Sequence, residues 1–157
     1  MKAGTDDAIE EVIRIRATPE EVRGCILSPN RILQYYPLGA ESGELEAGRS
    51  FYCRGRLGIS LFEILQSDPN YILLEVHNAT ACDPPYTAER IKRAAFFSML
   101  EDWHIEADGG GTKLTRLWRG IEQRRMKAIP IRLFVQLTAK LESLAIKKHW
   151  ATRSLSR

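Results

Sequence analysis

The residues with the clearest chemical potential are Glu101 and Arg116, which flank the run Asp108-Gly109-Gly110-Gly111. That run is the strongest hairpin signal in the chain. A turn centred on it sets Ile105 opposite Leu114, Trp103 opposite Arg116 and Glu101 opposite Trp118. Trp103, Ile105, Leu114 and Trp118 then share an apolar face that must point inward, and Phe97 and Met99 continue it. The same register turns Glu101 and Arg116 inward, diagonal to each other. An inward carboxylate beside an inward guanidinium can orient a polar ligand group, or move protons if burial tunes its pKa. It can also be a buried structural ion pair, and a one-residue slip would put both groups in solvent.

The other titratable side chains offer less. His77 and His104 fall on the outer parity of their strands and are expected in solvent. His149 sits near the end of the last helix, where a cation is favoured. No two histidines are spaced as metal ligands, and Cys25, Cys53 and Cys82 form no C-x-x-C pair. Neither a metal site nor a disulfide framework is expected. Cys25 and Cys53 read as small core residues, and Cys82 as a loop residue. There is no nucleophile elbow, phosphate loop or dinucleotide fingerprint, so no cofactor is expected.

The elements that must hold these residues follow from pattern. Residues 8–16 alternate as a strand, with Ile13 and Ile15 on one face and Arg14 and Arg16 on the other. Thr18-Pro19-Glu20-Glu21 starts a helix: Thr18 can cap, Pro19 suits the first helical position, and the two glutamates favour the positive end of the dipole. Ser28-Pro29 ends it and opens a second short helix, Asn30 to Tyr36, closed by Pro37. Strands are predicted over 40–47, 50–57, 59–67 and 71–78, then a polar loop over 82–90 and strands over 93–107 and 112–124. From Pro130 to about Trp150, Leu133, Phe134, Leu137, Leu141, Leu144 and Ala145 fall on one helical stripe. A helix this long must lie across the sheet, and a curved sheet leaves a hollow beneath it.

The 157 residues, 44% apolar and 27% charged, suit one domain spanning 1–157, with 1–7 flexible and 151–157 a frayed tail. No stretch approaches the roughly 20 apolar residues of a membrane-spanning helix. The N-terminus lacks the basic and apolar regions of a secretory signal, so a soluble cytoplasmic protein is expected. Residues 113–157 carry 12 Lys/Arg against 2 Asp/Glu, while residues 1–112 carry 11 against 18. No aromatic residues interleave with the basic ones, so nucleic acid is not an expected partner.

In order and spacing the chain resembles the START-like (SRPBCC) superfamily, within it the polyketide cyclase/dehydrase-like group. The resemblance rests on Ile15-Arg16-Ala17-Thr18-Pro19-Glu20-Glu21-Val22, Leu27-Ser28-Pro29-Asn30, Tyr35-Tyr36-Pro37, Glu63-Ile64-Leu65-Gln66-Ser67-Asp68-Pro69, Trp103-His104-Ile105 and Gly110-Gly111-Thr112-Lys113-Leu114-Thr115. It implies an α+β helix-grip fold: a curved antiparallel sheet wrapped around a long C-terminal helix, with two short helices after the first strand. It also implies a central cavity, but no single activity. Tyr35, Tyr36, Phe51, Phe62, Leu74, Phe97, Met99, Trp103, Trp118, Phe134, Leu137 and Leu141 are the candidate ligand-binding residues. The leading expectation is a carrier or sensor of a hydrophobic or aromatic small molecule, as monomer or homodimer. One alternative is a cyclase/dehydrase-type enzyme using Glu101 and Arg116. Another is an interaction protein using Arg119, Arg124, Arg125, Lys127, Lys147 and Lys148.

Overall fold

The computed structural model describes residues 7–30 and 39–155, with side chains to residue 151. Among these residues the strands are β1 (Ile9–Ile15), β2 (Gly39–Glu46), β3 (Ser50–Gly55), β4 (Gly58–Asp68), β5 (Tyr71–Ala79), β6 (Phe97–Asp108) and β7 (Gly111–Gln123). They form one antiparallel sheet in the order β1-β7-β6-β5-β4-β3-β2. Consecutive strands are neighbours except where β1 joins β7, Ile13 opposite Leu114, which brings the first and last strands together. The helices are α1 (Pro19–Ile26), α2 (Ala88–Ala94) and α3 (Ile131–Leu155). Curved sheet and long gripped helix make this a helix-grip fold. Among the described residues no helix is long and apolar enough to cross a membrane.

Local chemistry explains the element ends. Thr18 and Glu21 close a reciprocal capping box: the Thr18 hydroxyl accepts from the Glu21 backbone N–H at 3.2 Å, and the Thr18 N–H donates to Glu21 Oε2 at 2.9 Å. The β6–β7 turn has only Gly109 and Gly110 between its strands, with φ of 56° and 89°. A two-residue turn of this hand needs positive φ at both positions, which glycine adopts without a Cβ clash. Gly58, at the β3–β4 turn, has φ 119°, and a Cβ there would lie 2.1 Å from the Ala79 carbonyl oxygen. β4 can therefore pair with β5 from Ile59, opposite Ala79, because position 58 has no side chain.

Several expectations are corrected. The loop over 82–90 contains the start of α2, capped by Thr87, whose hydroxyl accepts from the Arg90 N–H at 3.2 Å. The helix is too short to show a period, and Ile91 alone is buried from it. The second short helix falls on residues outside those described, as do Tyr35 and Tyr36. The largest correction concerns α3, which continues to Leu155, about 37 Å at 1.5 Å per residue. Its buried residues are Ile131, Val135, Ala139, Ser143, Ile146 and Trp150. Of the stripe expected to face the hollow, Phe134 and Leu141 line it, but the leucines are largely exposed: Leu133, Leu137, Leu141 and Leu144 are 48–62% accessible. Small residues, Ala139 and Ser143, occupy the middle of the buried stripe, where a large side chain would hold the helix off the sheet.

Among the described residues the interior has three parts. The largest joins Ile13, Val22, Cys25, Phe51, Cys53, Leu74, Trp103, Leu114 and Trp150 between the sheet, α1 and the end of α3. A second joins Ile9, Phe97 and Trp118 to Ile131, Val135 and Ala139 of α3. The third is on the opposite, convex face, where Ile59, Leu61 and Ala79 pack under Ile91 of α2. Cys25 and Cys53 are buried free thiols and Cys82 is partly buried.

Candidate functional site

The β6–β7 register is the expected one, Ile105 with Leu114, Trp103 with Arg116 and Glu101 with Trp118. Glu101 and Arg116 both point inward, at 3% and 1% exposure. Their side chains form an ion pair through Arg116 Nη2 and Glu101 Oε1. A third member comes from α3: Glu142 Oε2 accepts from the same Nη2 at 2.7 Å. The guanidinium lies between two indoles, its carbon 3.9 Å from the Trp103 ring centre and 4.4 Å from that of Trp118. Such stacking suits a planar, weakly hydrated cation and fixes where it sits.

The electrostatics follow from one cation serving two carboxylates. Burial works against the Arg116 charge, but Glu101 and Glu142 more than restore it, and its pKa is raised. Burial pushes Glu142 up to about 7; Arg116 opposes the rise and Glu101 adds to it. With Glu142 protonated the triad is neutral, and with it ionised the triad carries one net negative charge in an apolar wall. A carboxyl that changes charge near neutrality can donate or accept a proton or a hydrogen bond there.

Glu101 and Glu142 open onto a hollow between the sheet and α3. Its apolar wall includes Phe62, Phe97, Met99, Trp118 and Phe134, with Ser60, Asn78 and Thr138 as further polar groups. Phe97 and Phe134 meet edge to face at 6.2 Å. The hollow holds about 60 Å³ open to the centres of water-sized molecules, and about 790 Å³ of empty space once its mouth is included. Leu57 of the β3–β4 turn and Leu141 of α3, 54% and 48% exposed, line it where it meets solvent.

Of the expected ligand-binding residues, the structure brings Phe62, Phe97, Met99, Trp118, Phe134 and Leu141 around the hollow. Phe51, Leu74 and Trp103 lie in the adjoining core, Phe51 stacked on Phe62 at 5.0 Å. Leu137 is on the outer side of α3, 55% exposed. Glu142, Thr138, Ser60 and Asn78 were missed. The signal for Glu142 was its place seven residues after Val135 and four before Ile146, on the stripe of smaller apolar residues.

His77 also departs from expectation. It is on the outer face but buried at 3%. Burial lowers its pKa, against the pull of Glu75 and Glu63, and the charges of Lys92 and Arg124 lower it further. His104 is half-buried, its ring 5.0 Å from that of Tyr71. Of the basic residues expected to form an interaction surface, Arg119 and Arg125 are engaged within the molecule: Arg119 Nε donates to Asp102 at 2.7 Å, and Arg125 Nη2 donates to the Arg93 carbonyl at 3.2 Å.

No protein-family model matches the chain, and no curated protein matches it. Solved structures do. A START superfamily protein from Mycobacterium smegmatis superposes with TM-score 0.66 at 10% identity, over 92% of this chain and 97% of that one. Ara h 8.0201 gives TM-score 0.65 at 12% identity, over 92% and 97%. Aha1 from Colwellia psychrerythraea, solved as a dimer, gives 0.59 at 10% identity, over 91% and 95%. At these identities the likeness establishes a START-like fold.

Proposed function

We propose that this chain is a single START-like domain that binds a hydrophobic or aromatic small molecule in the hollow beneath α3, as a carrier or sensor, working as a monomer or homodimer. The observation that carries the reading is the pair of carboxylates, Glu101 and Glu142, set in a wall of Phe62, Phe97, Met99, Trp118 and Phe134. An apolar hollow with a few convergent polar groups is the usual form of a small-ligand site. The charge of the wall narrows the ligand. A triad that is neutral or negative disfavours a fatty-acid carboxylate and favours a neutral molecule or amine with a hydrogen-bond donor. Typical ligand cavities hold about 300–1,000 Å³. At about 60 Å³ the hollow takes only part of such a ligand, so the remainder extends past Leu57 and Leu141.

Thermal shift with matched probes tests this: a phenyl alkanol, the corresponding amine and the corresponding carboxylate. The alkanol and amine are expected to raise the melting temperature above neutral pH, and the carboxylate to do so far less. Equal shifts from all three, or none from any, would refute the charge argument.

The position of Glu142, near neutrality and beside a fixed cation, also favours a second reading, an enzyme of the cyclase/dehydrase type. Glu142 would be its proton-transfer group and Arg116 would stabilise developing negative charge. Exchange of the α-protons of an aryl methyl ketone in D₂O, followed by NMR, tests it. Exchange should rise through an inflection near pH 7 and be lost in Glu142→Gln. An identical exchange rate in that variant would leave only the binding reading.

A further inference from the structure

We infer that the convex face of the sheet carries a divalent-cation site of the zinc type, formed by Glu63, Glu75 and His77. Glu63 of β4 and Glu75 of β5 are directly opposite in the register, and His77 follows two residues after Glu75 on the same face. Like charges facing each other across strands destabilise a sheet unless a cation lies between them. The donor atoms of all three residues lie within 4.8 Å of one another. His77 Nε2 is 3.3 Å from Glu75 Oε1 and 3.5 Å from Glu63 Oε1.

Those separations decide between two accounts. A charged imidazole bonded to a carboxylate sits at about 2.7–2.9 Å. Neither ring nitrogen of His77 makes a hydrogen bond, although the side chain is 4% exposed and aimed at the carboxylates. Ligands about 2.0–2.2 Å from a tetrahedral ion are roughly 3.3–3.6 Å apart along each edge, and His77 Nε2 stands at that spacing from both carboxylates. One imidazole nitrogen and two carboxylate oxygens are an acceptable zinc donor set, with a fourth position open. Sequence spacing concealed the site because its ligands come from two strands and include only one histidine.

Lys92 of α2 supplies a cation to the cluster, its Nζ 2.6 Å from Glu63 Oε1. The side chain is 41% exposed, so it can swing into solvent and leave its place to a metal ion. Lys92 is thus a built-in competitor, and Arg124 adds a further positive charge nearby. The site does not depend on the reading of the inner hollow.

Calorimetry with ZnCl₂ on the full chain, with Co²⁺ absorption as a second readout, tests the inference. One equivalent should bind at neutral pH, and Co²⁺ should show intense tetrahedral bands without a thiolate charge-transfer band. His77→Gln and Glu75→Gln should each weaken binding roughly a hundredfold, and Lys92→Met should tighten it about tenfold. Glu75 is 38% exposed, so its variant keeps the fold even if His77→Gln does not. Failure of the native chain to bind, unchanged affinity in Glu75→Gln, or a thiolate band would each overturn the inference.

Discussion

The two faces of the sheet solve the same electrostatic problem differently. On the concave face Glu101 and Glu142 share Arg116, and on the convex face Glu63 pairs with Lys92 while Glu63 and Glu75 both approach His77. Arg116 is 1% exposed and stacked between two indoles, so it cannot leave. Lys92 is half-exposed and His77 is buried at a lowered pKa, so that cation can be exchanged. The concave cluster is built around a permanent charge with one adjustable proton, the convex one around a replaceable charge. Removing each cation tests this contrast most directly. Arg116→Met strands two carboxylates in an apolar wall and should cost about 3–5 kcal/mol in urea unfolding. Lys92→Met should cost less than about 1 kcal/mol, as for an exposed pair. Equal losses would end the distinction.

The adjustable proton provides the next test. The Glu142 carboxyl is raised from 4.5 to about 7 in the folded chain. A folded group that holds its proton more tightly than the unfolded chain stabilises the fold at low pH. That stabilisation is complete below about pH 4.5 and is lost as pH rises through about 7. Glu142→Gln mimics the protonated form at every pH. The variant and native chain should therefore be equally stable near pH 4, with the variant gaining by about 3 kcal/mol at most above pH 7. The difference between the two proteins is the quantity to read, because other carboxylates titrate in the same range in both. A constant difference across pH would show that Glu142 holds its proton no more tightly in the folded chain than in the unfolded one, and the concave cluster would then have no member tuned by burial.

How much of this was legible in the sequence depended on whether local rules were in force. The α1 start was readable because Thr18 and Glu21 satisfy each other within four residues. The β6–β7 register was readable because a glycine turn fixes it, and with it the inward placement of Glu101 and Arg116. The spacing of Glu142 from Val135 and Ile146 marked its stripe, but its pairing with Arg116 was not readable, since that partner lies 26 residues away on another element. His77 was assigned the correct face, but its burial comes from α2, a helix too short to show periodicity. Strand parity says which side a residue takes, and only the tertiary fold says what covers that side.

The α3 error has the same origin and gives the finest comparison, between the helix's two stripes. Leu133, Leu137, Leu141 and Leu144 outrank the opposite stripe in hydrophobicity, and hydrophobicity alone would bury them. The buried stripe instead has Ala139 at 1% exposure, beside Val135 and Phe97. Fit decides here, because each methylene that holds the helix off the sheet forfeits contacts along its length. Ala139→Leu should therefore cost about 1–3 kcal/mol through overpacking, although it makes the helix more hydrophobic. Leu137→Ala, which deletes a larger apolar group from a position 55% exposed, should change stability by no more than about 0.5 kcal/mol. Thermal unfolding of the two variants side by side reads both effects. If Leu137→Ala proved the costlier, the leucine stripe would be packed against something in solution, such as a second copy of the chain. A loss of stability that grows on dilution of the native chain would identify that copy as the cause.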